Sequence, residues 1–557
     1  MNERHNQDLL IIGGGAAGLA AACKAYEEGL EKILVVEGDK ELGGILLQCV
    51  HTGFGLEYFK ENLTGPEYIQ RFIDKIQRYN IETLTESMAL DIETRSKFDH
   101  VISIAGLGNG FTKIGAKAVI ITTGCRERGR DELNIPGDRP AGVMTAGTAQ
   151  RYMDIYGYLP GKEVVIVGSG DIGLIMARRF SQEGAVVKGV YEILSYTCGL
   201  RRNQAQCLQD FGIPLYLGST VVQINGRKKL ESVIVAKVDD NLTPVPGTEE
   251  KINCDLLVLA AGLLPDNRFP RVSPEGLGLE IDAGTSGPIV NEFLETSSPN
   301  IFAAGNFLMV NDTVDDVTVQ GEIAAQSAVK FLREGHPLQI KWKQATPGYG
   351  IRFVVPQKYS GTVDVKFYMR VKKPSDNIFI EVPEIGRRFF LRVVRPPEII
   401  RLNLTKDTIK SEYLTFQIKP SGSKSKHVES LRRCEDKICK SIICTVCPIG
   451  CLTTVVIEGD EVKEIRGAFC KRGLDFIRQE AICPVRVLFT VVPIEGSSTI
   501  GVLPVRSDRP IPKNLLDQSL KALSKIRVKV PVNVGDIIVD DLLGKNFNII
   551  SSRTVRM

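Results

Sequence analysis

The chain has 557 residues, of which 43% are hydrophobic and 24% are charged, and its formal net charge at pH 7 is +4. This length predicts several domains, and so small a net charge excludes a protein that binds nucleic acid through its overall charge. Because no apolar run is long enough to span a bilayer and the polar N-terminus lacks a signal-peptide pattern, we expect a cytoplasmic protein. Its 13 cysteines should then be reduced unless they bind metal or do redox work.

The first motif is a glycine-rich turn within residues 8–37, DLLIIGGGAAGLAAACKAYEEGLEKILVVE. An apolar run predicts a buried strand, after which Gly13, Gly15 and Gly18 form G-x-G-x-x-G before an alanine-rich helix. Gly13 permits a tight turn, Gly15 lets a pyrophosphate approach the backbone, and Gly18 lets the helix pack closely on the strand. Glu37 ends the second strand, where it can bind two ribose hydroxyls. The segment therefore predicts a dinucleotide site.

A second glycine-rich turn lies within residues 163–192, EVVIVGSGDIGLIMARRFSQEGAVVKGVYE, with the same spacing between its first glycine and its acid. Its motif glycines are Gly168, Gly170 and Gly173. The acid is Glu192, whose carboxylate would repel a 2′-phosphate and so favours NAD over NADP. Arg201 and Arg202 lie nearby and weaken that preference. The chain therefore carries two predicted dinucleotide units, unless one of them is vestigial.

Two such units in one chain resemble the pyridine nucleotide–disulfide oxidoreductases, a family of flavoproteins with two dinucleotide-binding domains. Three further segments carry the resemblance: AVIITTGCRER (118–128), DLLVLAAGLLPDN (255–267) and TSSPNIFAAGN (296–306). The resemblance covers about residues 7–335 and implies an α/β fold with two Rossmann-like domains. It places FAD in the outer domain and NAD(H) in the inserted one. It also adds three glycines to the expected cofactor-binding residues: Gly124, Gly262 and Gly305.

The last of these segments departs from the family pattern. The family usually has Gly-Asp there, and the aspartate bonds the ribityl chain of the flavin. This chain has Gly305 and Asn306, so the resemblance implies an uncharged hydrogen-bonding group at that place. The helix that follows, expected near Val317 to Gln320, would point its N-terminus at the isoalloxazine and stabilise negative charge on the reduced flavin.

The segment ELGGILLQCVHTGFG (41–55) separates this chain from the disulfide reductases of the family. Those enzymes carry C-x4-C after a Gly-Gly pair, whereas Gly43 and Gly44 are followed here by Cys49 alone. Because one cysteine cannot form the flavin-facing disulfide, we expect neither glutathione reductase nor lipoamide reductase activity. Cys49 is either a thiolate that contacts FAD or a small buried residue. His51 is either a proton relay or a structural histidine.

Four segments resemble one bacterial group in more detail: GGILLQCVHTGFG, ENLTGPEYIQRF, GSGDIGLIMARR and AAGNFLMVNDTVDD. The group consists of FAD/NAD oxidoreductases that accompany anaerobic glycerol-3-phosphate dehydrogenase-like proteins. The FAD/NAD subunits of amine and amino-acid dehydrogenases are also similar. The resemblance implies a dehydrogenase partner chain or an electron carrier, and we expect an oligomer.

The chain continues with two regions of different character. Residues 345–420 consist of short, alternating, β-branched segments and predict a small antiparallel β domain, and residues 419–430 are typical of a linker. The end of the chain is rich in cysteine and predicts an α+β domain that resembles a small uncharacterised domain found with these flavoproteins. The predicted domains are an FAD domain (7–150 with 268–338), an NAD(H) domain (151–267), the β domain (345–420) and the cysteine-cluster domain (431–557).

The stretch CTVCPIGC (444–451) opens the cysteine-cluster domain. Cys444, Cys447 and Cys451 in one turn, with Cys470 further along, match the four-cysteine ligation of a [4Fe–4S] cluster. The pattern resembles the cluster-binding segment of molybdopterin oxidoreductases, but too few residues follow for a pterin domain. Zinc is the alternative metal, and a disulfide framework is disfavoured in the cytoplasm. Three spare cysteines could replace Cys470 as the fourth ligand: Cys434, Cys439 and Cys483, the last being the one expected nearest the cluster.

These features predict an FAD-dependent NAD(H) oxidoreductase that passes electrons between NADH, FAD and a C-terminal iron–sulfur cluster. The resemblance implies that it is the electron-transfer component of an anaerobic glycerol-3-phosphate dehydrogenase-like system. Two alternatives stay open. The first is a stand-alone NADH oxidase with a structural metal-binding tail, and the second is a non-catalytic assembly protein.

Overall fold

The structure is a computed structural model that describes residues 3–108, 110–268, 277–335, 340–421, 438–446, 450–459, 461–468 and 470–556. The chain forms two compact units. The first consists of Met1–Arg126 with Leu263–Ser423, and the second of Glu127–Gly262 with Lys424–Met557. The domain boundaries predicted from the sequence are finer than this division and stay predictions. Most of the predicted linker 419–430 lies outside the described residues.

A mostly parallel sheet forms the centre of the first unit. Its strand Glu3–Ile12 ends in a run of buried aliphatic residues, which is typical of a strand that is covered on both faces. Ile33–Val36 and Gly110–Ile121 pair with it, one on each side, and both run parallel to it. The other strands of this sheet are Glu82–Leu84, Ser87–Ser96, Asp99–Gly106 and Ile301–Ala303.

Three helices pack with this sheet in one hydrophobic core: Ala16–Glu27, Gly65–Arg78 and Val314–Glu334. The second of them begins at a capping box in which Thr64 and Glu67 bond each other's backbone N–H, and this arrangement is a strong start signal for a helix. The third includes the region Val317 to Gln320 where a helix was expected, and it begins at Val314, where the Thr313 hydroxyl accepts a hydrogen bond from the Asp316 backbone. Two short strands of this unit, Thr52–Phe54 and Leu63–Thr64, pair with each other, and two more, Cys125–Glu127 and Leu263–Pro265, lie where the chain leaves the unit and where it returns.

The rest of the first unit is built from β-strands around a second hydrophobic core. Its strands form a five-stranded and a three-stranded sheet. Neighbouring strands are antiparallel except for Lys343–Pro347 and Tyr413–Pro420, which run parallel. The other strands are Ile351–Val355, Lys358–Tyr359, Val365–Val371, Ser375–Val382, Arg387–Val394 and Ile400–Leu404.

The second unit begins with another parallel sheet. Its strands, in spatial order, are Val143–Thr145, Leu256–Leu259, Glu163–Val167, Val186–Glu192 and Leu215–Leu217. Helices Ala146–Asp154 and Asp171–Gln182 pack on it, and a short helical turn, Arg201–Asn203, continues as a π-helix, Gln204–Leu208. An antiparallel sheet follows, made of Ser219–Asn225, Ser232–Lys237 and Glu250–Asn253.

Within the described residues, the end of the chain adds three small sheets and two α-helices to the second unit. A three-stranded antiparallel sheet, Ile438–Ile443, Leu452–Glu458 and Glu461–Arg466, carries the cysteines and packs with helix Lys471–Ile482. The second sheet contains Phe489–Glu495, Val502–Ser507, Val528–Lys529, Ile537–Val539 and Ile549–Ser551. This part of the second unit also contains the helix Leu516–Leu523 and a two-stranded sheet, made of Val485–Arg486 and Ile511–Pro512. In the described part of the chain, no helix is both long and apolar enough to cross a membrane.

Candidate functional site

The two glycine-rich turns have the same backbone geometry. Gly13 has a φ of +109° and Gly168 a φ of +98°, values that favour glycine. A Cβ atom at Gly13 would overlap the carbonyl oxygen of Thr122, and one at Gly168 would overlap that of Ala260. Each turn therefore needs glycine both for its φ and for the close approach of a neighbouring strand.

The other glycines of the two motifs also correspond. A Cβ atom at Gly18 would overlap the carbonyl oxygen of Gly13, so a side chain there would separate the helix from the strand. A Cβ atom at Gly173 would likewise overlap the carbonyl oxygen of Gly168. By contrast, nothing lies within 4 Å of a Cβ at Gly15, and the nearest atom at Gly170 is the Ala260 carbonyl oxygen at 3.8 Å. These open positions at helix N-termini fit the pyrophosphates of FAD and NAD(H).

The acid of each motif contacts its own glycine turn. Glu37 Oε2 accepts a hydrogen bond from the Gly14 N–H at 2.7 Å, and its Oε1 accepts one from Asp39 at 2.8 Å. Burial raises the pKa of the Glu37 carboxyl, although these N–H donors oppose the rise. In the second unit, Glu192 accepts from the Ser169 N–H at 2.9 Å and from its hydroxyl at 2.6 Å. Both carboxylates thus stand where a ribose of the bound dinucleotide is expected.

The predicted Gly-Gly pair lies over the first glycine turn. The Gly43 N–H donates to the carbonyl of Gly14 at 2.8 Å, and a Cβ atom at Gly44 would lie 3.2 Å from the Gly15 Cα. The short 3₁₀ helix Gly44–Gln48 follows and leads directly to Cys49. The structure therefore brings this pair to the expected FAD-binding turn.

Cys49 and His51 come directly after that 3₁₀ helix. The Cys49 thiol donates to the Ile45 carbonyl at 3.3 Å, and the residue is half-buried. The Nδ1 atom of His51 lies 3.0 Å from the Thr52 carbonyl oxygen, so Nδ1 carries the proton, and the ring packs on Phe54 with centroids 4.9 Å apart. These contacts are compatible with either alternative for each side chain, and the roles of Cys49 and His51 at the flavin stay predictions.

Asn306 has a neighbour that the sequence motifs did not single out. Its amide nitrogen lies 3.5 Å from the Cys125 sulfur, and its Oδ1 accepts from the Asn311 N–H at 2.9 Å. Gly305, beside it, donates its N–H to Gln320 at 3.0 Å. Cys125 directly follows Gly124 in a segment already assigned to the cofactor, and that adjacency is the signal that could have identified it. Gly124 and Gly262 are the two remaining predicted glycines. Both have a positive φ, and a Cβ atom added at either position would have no other atom within 4 Å.

The helix that begins at Val314 carries two buried acids in its first turn, Asp315 and Asp316. Asp315 accepts a hydrogen bond from the Glu57 N–H at 2.8 Å, and Asp316 forms an ion pair with Arg401. Arg401 neutralises the charge of Asp316, so the carboxylate of Asp315 is the charge in the first turn that offsets the positive end of the helix dipole. The expected stabilisation of an anionic flavin by this helix is therefore smaller than the helix alone would provide.

Three of the predicted cluster ligands lie near the start of helix Lys471–Ile482. Cys470 is the N-cap residue of this helix, and its sulfur accepts a hydrogen bond from the Gly473 N–H at 3.4 Å. A Cβ atom at Gly473 would lie 3.5 Å from the sulfur of Cys470 and 3.5 Å from that of Cys444. Cys451 is buried in the same apolar cluster as Cys444, and its carbonyl accepts the Cys444 N–H at 2.9 Å. Three of the four predicted ligands are thus neighbours.

The other cysteines of this domain are placed differently. Cys447, the fourth predicted ligand, and Cys434 lie outside the described residues, and Cys439 is disulfide-bonded. Cys483 ends the helix of 12 residues that Cys470 begins, a length of about 18 Å. These contacts do not compare Cys483 with the other spare cysteines, so the expectation that Cys483 is the spare cysteine nearest the cluster stays a prediction. Within the described ranges, no group of three or more His, Cys, Asp and Glu side chains is arranged to hold a metal ion.

This cysteine domain packs on the parallel sheet domain within the second unit. Asp210 accepts hydrogen bonds from Arg486 at 2.7 Å and from Lys513 at 2.7 Å. The buried Arg178 guanidinium stacks over the Phe489 ring, with 4.5 Å between the guanidinium carbon and the ring centroid. A buried cation stacked on an aromatic ring and a shared carboxylate are specific contacts. The cysteine domain is therefore docked on the domain that carries the second glycine turn.

Comparison with known proteins agrees with the two glycine turns. A family model described as pyridine nucleotide-disulphide oxidoreductase matches residues 7–328, and one described as a protein of unknown function (DUF1667) matches residues 471–553. The HcnB component of hydrogen cyanide synthase from Pseudomonas protegens is 24% identical over 64% of this chain and 76% of its own length. An opine oxidase subunit of Agrobacterium tumefaciens is 28% identical over 58% of this chain and 66% of its own.

Among solved structures, thioredoxin reductase of T. acidophilum has 24% sequence identity and a TM-score of 0.48, and the match covers 59% of this chain and 99% of that one. The first family model spans more than half of the chain and includes both glycine turns. The chain therefore belongs to the pyridine nucleotide-disulphide oxidoreductase family and is an FAD-dependent oxidoreductase that uses a pyridine nucleotide.

Proposed function

We propose that this enzyme exchanges electrons between NAD(H), FAD and a [4Fe–4S] cluster, and through the cluster with a partner chain. The cluster ligands in this proposal are Cys444, Cys447, Cys451 and Cys470. The observation that carries the proposal is that a Cβ atom added at Gly473 would lie 3.5 Å from the sulfurs of both Cys444 and Cys470. A glycine beside two thiols that are distant in sequence leaves room for an inorganic group between them.

The residues of the second glycine turn would hold NAD(H). Gly170 leaves space for the pyrophosphate at the N-terminus of the helix Asp171–Gln182, and Glu192 accepts the hydroxyls of the adenosine ribose. The first turn would hold FAD in the same way through Gly15 and Glu37. Bound FAD supplies the exchange between two-electron hydride chemistry and one-electron transfer.

The surroundings of the three described cysteines suit a cluster. Cys444 and Cys451 are buried among apolar side chains, which exclude water. The Gly473 N–H donates to the Cys470 sulfur, and such hydrogen bonds stabilise negative charge on a metal-bound thiolate. Zinc stays the alternative metal for these thiols, and it would have a structural role only.

A partner chain is proposed because this sequence lacks the flavin-facing pair of cysteines that accepts electrons in the disulfide reductases of the family. The Gly-Gly pair is followed by Cys49 alone, so the flavin has no disulfide in the usual family position to which it could pass electrons. Two relatives, HcnB and the opine oxidase chain, are named as subunits, which supports a multi-chain setting. The finer proposal is a dehydrogenase partner of the anaerobic glycerol-3-phosphate type, in the cytoplasm.

Anaerobic purification followed by iron, sulfide and zinc analysis tests the proposal, together with electron paramagnetic resonance spectra before and after NADH addition. We expect flavin reduction by NADH, about four iron atoms per chain, and a signal from the reduced cluster. Zinc without iron, or flavin reduction without a cluster signal, would contradict the relay. The latter result would favour the stand-alone NADH oxidase.

A pair of variants separates the cluster from the rest of the fold. Cys444→Ser should lose iron and electron transfer to an artificial one-electron acceptor, while NADH still reduces the flavin. The matched control is Cys483→Ser, because this cysteine is exposed at the other end of the helix that Cys470 begins. The control should keep its iron and its transfer rate.

A further inference from the structure

The three-stranded sheet of the first unit turns a polar face towards the core of the parallel sheet. In its strand Val365–Val371, the odd-numbered residues lie in the second hydrophobic core, so the even-numbered residues point to the other face. These are Lys366, Tyr368 and Arg370. Tyr368 is buried in the core around the parallel sheet, and Arg401 is paired with it on the neighbouring strand. This face therefore places cationic side chains beside the domain that carries the first glycine turn.

Arg401 neutralises a buried acid at the start of the helix Val314–Glu334. It forms an ion pair with Asp316 in the first turn of this helix, and its guanidinium also lies 3.3 Å from the carboxylate of Glu57. Asp316 is 3% exposed, so water screens its charge poorly, whereas more than half of the Glu57 side chain is exposed. Arg401 is therefore the ion-pair partner that neutralises the Asp316 carboxylate.

The start of the same helix packs beside the first glycine turn. A Cβ atom at Gly305 would lie 2.9 Å from the Ala17 Cβ and 3.2 Å from the Val317 Cγ1. A Cβ atom at Gly321 would overlap the carbonyl oxygen of Ala17 at 2.2 Å. Ala17 belongs to the first turn of the helix that follows Gly15, the open position that fits the FAD pyrophosphate. The first turns of two helices thus meet at the expected FAD site.

Charge at the start of this helix acts on the charge of a bound flavin. The positive end of the helix dipole stabilises the negative charge that the flavin gains on reduction, and a carboxylate in the first turn offsets this effect. The first turn carries two carboxylates, Asp315 and Asp316. Because Arg401 cancels one of them, the flavin would meet one net negative charge at this helix instead of two.

We propose that Arg401 is a positioning residue for the flavin: by neutralising Asp316, it keeps the start of the helix favourable to reduced FAD. The proposal assigns a role in flavin chemistry to the β-strands that follow the FAD-binding segments. It goes beyond the proposed electron exchange, because it depends on the FAD of the family and not on the iron–sulfur cluster.

The test measures the two-electron midpoint potential of bound FAD, by anaerobic reduction beside a reference dye in slightly alkaline buffer. Arg401→Gln leaves the Asp316 carboxylate uncompensated, so the site should prefer reduced FAD about fivefold less, a fall of about 20 mV in the potential. Asp316→Asn removes the carboxylate and leaves the arginine, so the potential should rise by a similar amount. The double variant restores the net charge and should return to the wild-type potential.

Arg388→Gln is the matched control. Arg388 pairs with Glu381 in the five-stranded sheet of the same unit, and more than half of its side chain is exposed, so the FAD potential should not change. A wild-type potential in folded Arg401→Gln, or shifts of the same sign in Arg401→Gln and Asp316→Asn, would overturn the proposal.

The outcome stays decisive if Arg401→Gln does not fold. Asp316→Asn keeps an acceptor for the Thr313 hydroxyl, which bonds the Asp316 carboxylate at 2.9 Å, so this variant retains the helix cap. An unchanged or lowered potential in Asp316→Asn would then overturn the proposal by itself. Iron analysis of the same samples tests the cluster separately, because absent iron would contradict the electron relay and leave the opposite shifts of the flavin potential unaffected.

Discussion

Glu192 accepts two hydrogen bonds from Ser169, one from its backbone N–H at 2.9 Å and one from its hydroxyl at 2.6 Å. The equivalent pair in the first motif is Glu37 and Gly14, where only the backbone N–H is available. Ser169 therefore adds a bond that the FAD-type turn lacks. Its hydroxyl also accepts the Cys198 N–H, which links the acid of the motif to the segment that begins at Cys198.

Ser169→Gly should weaken nucleotide binding selectively, because it removes both hydroxyl bonds while restoring the residue type of the first turn. A loss of about 1–2 kcal/mol corresponds to a roughly 5–30-fold higher Kd for NADH. Anaerobic NADH titration measures this effect, and the FAD content should not change. An unchanged Kd would show that the hydroxyl does not orient Glu192 for the nucleotide.

Glu37 should make FAD retention sensitive to acid. Burial raises the pKa of its carboxyl above the ordinary value of 4.5, so this group takes up a proton at a higher pH than an exposed glutamate does. The protonated form no longer accepts from a ribose hydroxyl with both oxygens, and FAD binding should therefore weaken as the pH falls through the raised pKa. Fluorescence of released FAD, measured along a pH series, reports the midpoint.

Glu37→Gln should abolish that pH step. An amide has a single acceptor oxygen, and the structure offers N–H donors to both carboxylate oxygens, from Gly14 and Asp39. One donor would therefore meet an NH₂ group, and we expect about tenfold weaker FAD binding at neutral pH. Glu192→Gln is the matched control in the second unit and should leave FAD retention and its pH dependence as in the wild type.

The sequence predicted the two glycine turns because two of their requirements are local: the positive φ at Gly13 and Gly168, and the close packing of the third glycine of each motif on the carbonyl of the first. It also placed a helix near Val317 to Gln320, and the observed helix Val314–Glu334 includes that region, with Thr313 and Asp316 forming its cap. The contact between Asn306 and Cys125 joins residues 181 positions apart, and no sequence periodicity encodes such a pair. Which of Cys470 and Cys483 lies beside Cys444 could not be predicted from the sequence either. The two cysteines cap opposite ends of one helix, and their spacing does not show which end faces Cys444.

Alkylation should distinguish the cysteines of the second unit by exposure. Cys470 and Cys483 are exposed and should both react with iodoacetamide at pH 8 in metal-free protein. Burial raises the pKa of Cys207 to about 11 and that of Cys254 to about 12, so these buried thiols should stay protonated and unmodified. After reconstitution with iron and sulfide, peptide mass spectrometry should find Cys470 protected and Cys483 still modified. Protection of Cys483 instead would mean that it is the fourth ligand.

Gly473→Ala should lower metal binding without lowering the stability of the metal-free fold. Gly473 lies in the first turn of an α-helix, where alanine is intrinsically favoured over glycine by up to about 1 kcal/mol. The new methyl group would lie 3.5 Å from each of two sulfurs, an ordinary contact without metal, so the thermal transition of the metal-free variant should be unchanged or higher. With metal, the same methyl group would occupy space between Cys444 and Cys470, and the iron content after reconstitution should fall severalfold. Full iron content with a normal spectrum would show that the metal does not enter the space beside Gly473, and would leave these two thiols without a shared ligand role.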